Sequence, residues 1–181
     1  MIARDTHRAV RTFVTLLVIA GSASLAFTLS VTWRGGLGDL RLLALAMAVL
    51  ALMSVSPVVF EWKGEAGSVS LEEVFFAMLV MTSPPAAVIV AMMFGNVCIY
   101  VFNRRTLQQI TFNVSLVGLS TASALGATWL VAGGLPVDPS WRGIAGALAG
   151  VVILYGGSAV GVRAIVAVAG GMSLRLSLIH I

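Results

Sequence analysis

Long apolar runs separated by short polar segments form the dominant pattern of this chain. The runs cover residues 12–32, 40–60, 71–102, 110–132 and 144–169. A helix rises about 1.5 Å per residue and a bilayer core is about 30 Å thick, so about 20 apolar residues cross it. Each run therefore predicts at least one transmembrane helix.

The run at residues 71–102 is too long for one straight span, because as a single helix it would measure about 48 Å. It also contains "TSPPAA", in which Pro84 and Pro85 remove two backbone donors. A proline disfavours helix at the residue before it but fits the first turn of a new helix. We therefore predict that one helix ends near Thr82 and that the next begins at the prolines, which gives about six helices in all.

The basic residues favour a hairpin over a kink at this break. A hairpin places most of them on the side of the N-terminus, whereas one kinked helix divides them equally between the two sides. Since basic residues are enriched in cytoplasmic loops, the hairpin, with a cytoplasmic N-terminus, is the preferred topology. Its first arm, at about 20 Å, is short for a full span. The basic residues on the N-terminal side would be Arg4, Arg8, Arg11, Lys63, Arg104, Arg105 and Arg175, and those opposite would be Arg34, Arg41 and Arg142.

A polar segment, "EWKGEAGSVSLEE", precedes the broken run. Within it "GSVSL" alternates like a short strand, and Ser70 followed by Glu72 and Glu73 is typical of a helix N-terminus. The predicted fold is an all-α polytopic transmembrane bundle with a short strand-like segment before the hairpin. Residues 1–11 would be a cytoplasmic tail, and residues 12–175 the transmembrane domain.

Composition supports a membrane protein, because the chain is 59% hydrophobic and only 10% charged, with a mean hydropathy of +1.04. A soluble domain carries about a quarter charged residues. The net charge of +4 does not indicate nucleic-acid binding, since the basic residues are scattered at the ends of apolar runs. The lipid bilayer is thus the expected partner.

Catalytic and metal-binding patterns are missing from the sequence. Cys98 is the single cysteine, and the two histidines, His7 and His180, lie at opposite ends of the chain. No thiolate or histidine cluster can be assembled from these residues. We therefore expect no cofactor, no metal and no enzymatic activity in the residues present.

The last apolar run is rich in glycine at small-xxx-small spacing, including Gly146 to Gly150 and Gly157 to Gly161. Such spacing allows close helix packing in membranes. The pattern predicts packing inside the bundle or a homodimer through this helix.

Five polar residues are expected at similar depth in the inner leaflet, and two interpretations of them stay open. In the first, Arg163 pairs with Glu72 or Glu73 in a polar pocket that senses a ligand, a lipid or a proton, because a charge in a bilayer needs a partner. In the second, Arg163 reaches the interface and the asparagines hold helices together. The candidate cluster consists of Glu72, Glu73, Asn96, Asn113 and Arg163.

Residues 67–175 resemble a known family. The likeness rests on "GSVSLEEVFF", the proline break "TSPPAA", the basic turn "RR", the pair Phe112-Asn113 and the later "AIVAVAGGMSLR". These features are similar to the N-terminal membrane region of bacterial signalling proteins with cytoplasmic GGDEF, EAL or HD-GYP output domains, which make or degrade cyclic di-GMP. The resemblance includes Arg104, Arg105 and Asn113 without implying a catalytic role for them, and Arg163 departs from it.

The resemblance implies a sensor or anchor module of the bacterial inner membrane whose output domain is missing. Residues 176–181, "LSLIHI", match the translation of a transposon-end adapter used in sequencing libraries. We therefore expect these residues to be non-native and the transmembrane domain to be incomplete at residue 175. Two other functions stay open: a substrate-binding membrane subunit of a small-molecule transporter, and a purely structural helix bundle.

Overall fold

The computed structural model describes residues 2–33, 36–55, 58–62, 65–69 and 71–170. Four of its helices are long and apolar enough to cross a membrane, which confirms the predicted helical membrane bundle. Arg34, Lys63, Ser70, Arg175, His180 and the segment 176–181 lie outside the described residues. The elements are α1 Ile2–Thr32, α2 Leu40–Val55, β1 Val58–Trp62, β2 Glu65–Val69, α3 Glu72–Thr82, α4 Pro85–Phe102, α5 Leu107–Ala132 and α6 Trp141–Gly170.

The second predicted span, residues 40–60, is wrong at its end. Helix α2 stops at Val55, and Val58–Trp62 forms strand β1, which pairs with β2 in antiparallel register from Val58 opposite Val69 to Trp62 opposite Glu65. The predicted strand-like stretch "GSVSL" overlaps β2. Most of its partner β1 lies within the apolar run 40–60, which the hydropathy pattern assigned to a helix. Pro57, which disfavours helix at the residue before it, is the sequence signal for this boundary.

Helices α3 and α4 form a hairpin. Helix α3 ends at Thr82, Ser83 is extended, and α4 begins at Pro85, as the proline break predicts. In a straight helix Glu72 and Asn96 would lie about 36 Å apart, yet the Asn96 amide nitrogen lies 3.4 Å from a Glu72 carboxylate oxygen. The chain therefore folds back on itself at Pro84.

The tip of this hairpin lies at the end of the bundle opposite to the N-terminus. A β-carbon added at Gly38, in the α1–α2 connection, would lie 2.9 Å from Pro84 Cδ. The backbone N–H of Val137, in the α5–α6 connection, donates to the Val80 carbonyl at 3.0 Å. The hairpin thus reaches both connections on the opposite side.

Exposed tryptophans mark that same opposite side. Trp33 follows α1, Trp129 lies in the last turn of α5, and Trp141 begins α6, with exposures of 56%, 54% and 86%. Tryptophan is enriched at membrane–water interfaces. These three side chains therefore indicate the level of one bilayer surface.

Helix α4 lies at the centre of the core, with most of its first three turns buried. It packs closely against α2, since a β-carbon added at Gly95 would lie 2.9 Å from Leu50 Cβ. Phe76 of α3 and Leu125 of α5 complete the same buried cluster. Large apolar side chains on α1, α2 and α6 are exposed, as expected for surfaces that face lipid.

The glycines of α6 pack against α5 within the chain. A β-carbon added at Gly146 would lie 2.8 Å from Ala132 Cβ, and one added at Gly157 would lie 2.8 Å from Ser120 Oγ. Gly150 and Gly161 approach Thr128 and Leu116 in the same way. These four glycines therefore serve internal packing, and a homodimer through α6, which stays a prediction, needs another face of this helix.

Candidate functional site

The two arms of the α3–α4 hairpin are joined by a hydrogen bond between polar side chains. Asn96 Nδ2 donates to Glu72 Oε2 at 3.4 Å and to the Met92 carbonyl at 3.1 Å. Asn96 is 4% exposed, and Glu72 is half-buried. The two residues are equally far from Pro84 along the chain, so the hairpin itself places them side by side.

This pair lies inside the half of the membrane nearer the N-terminus. Asn96 precedes the end of α4 at Phe102 by about 9 Å along the helix. Glu72 begins α3 three residues after Val69, the last residue of strand β2, and a two-stranded sheet with open edges does not fit in hydrocarbon. The strand end therefore lies at the membrane surface, and Glu72 lies about 10 Å or less beneath it.

Tyr100 extends the polar pair towards the membrane surface, and sequence analysis missed it. It lies one turn after Asn96 on α4, within electrostatic range of both Glu72 and Arg105. Arg105 is exposed just beyond the end of α4. The signal that could have found Tyr100 is its spacing of four residues from Asn96, which places both on one helix face.

Glu73 adds a second negative charge next to the pair. It follows Glu72 in the first turn of α3, and its charge acts on Glu72. Acidic residues in the first turn also interact favourably with the helix dipole. Glu73 therefore contributes to the local charge, while the hydrogen bond across the hairpin belongs to Glu72.

Asn113 is satisfied within its own helix. Its Nδ2 donates to the Gln109 carbonyl at 2.8 Å, one turn earlier on α5. The hydrogen bonds described for Asn113 and Asn96 do not join the two residues. The sequence predicts the same depth for Asn113 as for Asn96, but Asn113 is not part of the Glu72–Asn96 pair.

The structure does not bring Arg163 to the carboxylates. Gly161 of α6 packs on Leu116 of α5. Arg163 comes two residues after Gly161, so its side chain leaves α6 about 200° around the helix from this contact. It is also half a turn away from Leu154, which is buried in the same cluster as Phe76. Among the described residues Arg163 forms no ion pair with Glu72 or Glu73. The hypothesis of this ion pair is corrected accordingly: Arg163 lies on the side of α6 turned away from α3 and α5.

The described residues contain no cluster of side chains that are typical metal ligands. Within the ranges given above, no three His, Cys, Asp or Glu side chains group as metal ligands. Cys98 is half-buried on α4. The chemistry available at the Glu72–Asn96 pair and the neighbouring Tyr100 is proton exchange and hydrogen bonding by one carboxylate, one amide and one phenol.

Comparison with known proteins gives no relative. No family model, no curated protein and no solved structure matches this chain.

Proposed function

We propose that this chain is the membrane sensor and anchor module of a bacterial signalling protein, with the N-terminal side facing the cytoplasm. The observation that carries the proposal is the Glu72–Asn96 hydrogen bond, which ties the short arm α3 to the central helix α4. A carboxylate inside a membrane is costly and usually functional. The pair is therefore the best candidate for the point at which a stimulus acts.

The connection from this pair to the cytoplasmic side is short. Only Ser70 and Leu71 separate Glu72 from strand β2. An event at Glu72, such as proton uptake or ligand binding, that breaks the hydrogen bond removes this tie between the N-terminal end of α3 and α4. The β1–β2 hairpin then moves with this end of α3 at the inner membrane surface, where an output domain would read the change.

The assignment of the output to cyclic di-GMP synthesis or breakdown rests on the sequence resemblance of residues 67–175. The first test is to sequence the source DNA across the codon of Arg175. The proposal expects the reading frame to continue into a cytoplasmic GGDEF, EAL or HD-GYP domain. A natural stop codon directly after residue 181 would contradict it.

A second test uses the full-length protein that this sequencing would yield. Glu72→Ala is expected to change the rate of cyclic di-GMP synthesis or breakdown in reconstituted membranes, because it removes the acceptor of the hydrogen bond. Glu73→Gln is the matched control, since it removes the neighbouring charge and leaves the bond. Equal activity of the wild type and Glu72→Ala would argue against a sensing role for the pair.

One observation favours a transport component as the second candidate. Helix α3 has only 11 residues and is broken from α4 at the prolines, and short broken helices are common at transporter binding sites. This alternative expects an ATPase partner and small-molecule uptake that depends on Glu72. The sequencing test separates it from the first proposal, because no output domain would follow.

A further inference from the structure

The C-terminus of α4 is closed by a tight hydrogen-bonded turn. Arg104 N–H donates to the Val101 carbonyl at 3.1 Å, and Arg105 N–H donates to the Tyr100 carbonyl at 3.0 Å. This pair of bonds is a Schellman motif, which ends a helix with one residue in the left-handed conformation. The backbone at Arg104 and Arg105 is therefore fixed by the end of α4.

The N-terminus of α5 fixes the same turn from the other side. Thr106 Oγ1 accepts a hydrogen bond from Gln109 N–H at 3.3 Å, and the Gln109 side-chain oxygen accepts one from Thr106 N–H at 3.2 Å. This reciprocal capping box begins α5 directly after Arg105. The two arginines thus lie on a rigid connection between two spanning helices.

Arg104 occupies a backbone conformation that favours glycine. Its φ is 50°, and it is the one non-glycine residue with positive φ among the described residues. Glycine is the usual residue at this position because it has no β-carbon to strain the backbone. A strained residue that persists in a structure points to a functional role of its side chain, and here that side chain is a guanidinium.

The surroundings of the turn are those of a site at the membrane surface. Phe102 and Leu107, on either side of it, are 69% and 82% exposed, and apolar side chains at helix ends enter the acyl region. Arg104 and Arg105 are exposed beyond them. Across the described ranges, neither guanidinium forms an ion pair with a carboxylate.

We propose that the turn Asn103–Thr106, with the guanidinium groups of Arg104 and Arg105, binds the headgroup phosphate of an anionic phospholipid in the leaflet on the N-terminal side. Guanidinium groups bind phosphate oxygens through two parallel hydrogen bonds. The exposed Phe102 and Leu107 lie where the acyl chains of the same lipid begin. The bound lipid clamps the α4–α5 connection, and this holds whether the module serves signalling or transport.

The test measures the affinity of the purified chain for phosphatidylglycerol titrated into micelles of the neutral detergent dodecyl maltoside, read as the rise in thermal unfolding midpoint. General attraction to anionic lipid is about fivefold in affinity per surface arginine, whereas loss of a hydrogen bond to a charged phosphate should weaken affinity at least about tenfold. Arg104→Gln with Arg105→Gln should therefore weaken apparent affinity at least about 100-fold. Arg104→Gly should weaken it at least about tenfold, and this variant keeps the left-handed turn without strain, so it tests the proposal even if the double variant fails to fold.

Controls distinguish this site from general charge attraction and from a site for soluble phosphate. Arg41→Gln removes an exposed arginine on the opposite side and should weaken the affinity by no more than the roughly fivefold general attraction of a surface arginine. Inorganic phosphate and glycerol 3-phosphate, added without anionic lipid, should leave the midpoint unchanged. Equal loss in Arg41→Gln, full retention in Arg104→Gly, or equal stabilisation by soluble phosphate would overturn the proposal.

Discussion

Asn96 donates a hydrogen bond to Glu72 across the two arms of a membrane hairpin, with 3.4 Å between nitrogen and oxygen. Hydrogen bonds to charged groups contribute about 1.5–3 kcal/mol to stability. At this depth water competes weakly for either group. The pair is therefore both a structural tie and the element most sensitive to a change in protonation or ligand.

A double-mutant cycle measures this tie. Glu72→Ala and Asn96→Ala should each lower the free energy of unfolding in detergent, and the double variant should lose less than the sum by about 0.5–3 kcal/mol. Glu73→Gln combined with Asn96→Ala is the control cycle and should be additive within about 0.5 kcal/mol. Additive losses in the first cycle would mean that the two side chains do not interact.

The α5–α6 contact predicts opposite effects at two glycines of one helix. Gly150→Ala should destabilise the bundle by about 1–3 kcal/mol, because the new β-carbon meets Thr128 and Phe76. Gly156→Ala should be neutral or stabilising by up to about 1 kcal/mol, because open space surrounds that position. Unfolding in increasing denaturing detergent measures both, and equal effects would place the α5–α6 interface elsewhere.

Two glycines before α2 test the position of the hairpin tip. Gly36 and Gly38 both have positive φ, but only Gly38 lies against Pro84. Gly36→Ala should cost about 1 kcal/mol for backbone strain alone. Gly38→Ala should cost at least about 1 kcal/mol more, because the β-carbon also displaces the proline. Equal unfolding free energies for the two variants would show that the tip does not reach the α1–α2 connection.

Relief of strain at the α4–α5 turn should raise stability. Arg104→Gly is expected to increase the free energy of unfolding by about 0.5–1 kcal/mol in neutral micelles. Arg105→Gly should decrease it instead, because glycine adds freedom to the unfolded chain without relieving strain. A loss of stability in Arg104→Gly would contradict the left-handed conformation at this residue.

The hydropathy pattern located the helices well but did not locate one of their ends. Pro84 and Pro85 act on the backbone directly, so the break between α3 and α4 could be predicted from sequence. The boundary between α2 and β1 could not be found from hydropathy, because Val58, Val59 and Phe60 are as apolar as the helix before them. Only Pro57 distinguished the two elements.

The lateral arrangement of polar residues could not be predicted from depth alone. Glu72, Asn96, Asn113 and Arg163 were expected at one level, but a level does not specify the direction in which a side chain points. The structure joins Glu72 to Asn96 through the hairpin, whereas the packing of the α6 glycines on α5 turns Arg163 away. Which polar side chains meet is decided by the contacts between helices, and the hydropathy pattern of a single sequence does not specify those contacts.

The most direct test of the proposed switch measures the distance between α3 and α4 in lipid nanodiscs. Spin labels are attached to cysteines introduced at Val74 and Val101, both exposed, in a Cys98→Ala background. Double electron–electron resonance then reports the distance between the two labels. We predict one narrow distribution for the wild type and for Glu73→Gln, and a broadened, longer distribution for Glu72→Ala. An unchanged distribution in Glu72→Ala would show that the Glu72–Asn96 hydrogen bond does not hold the hairpin together, and the proposed sensing mechanism would be wrong.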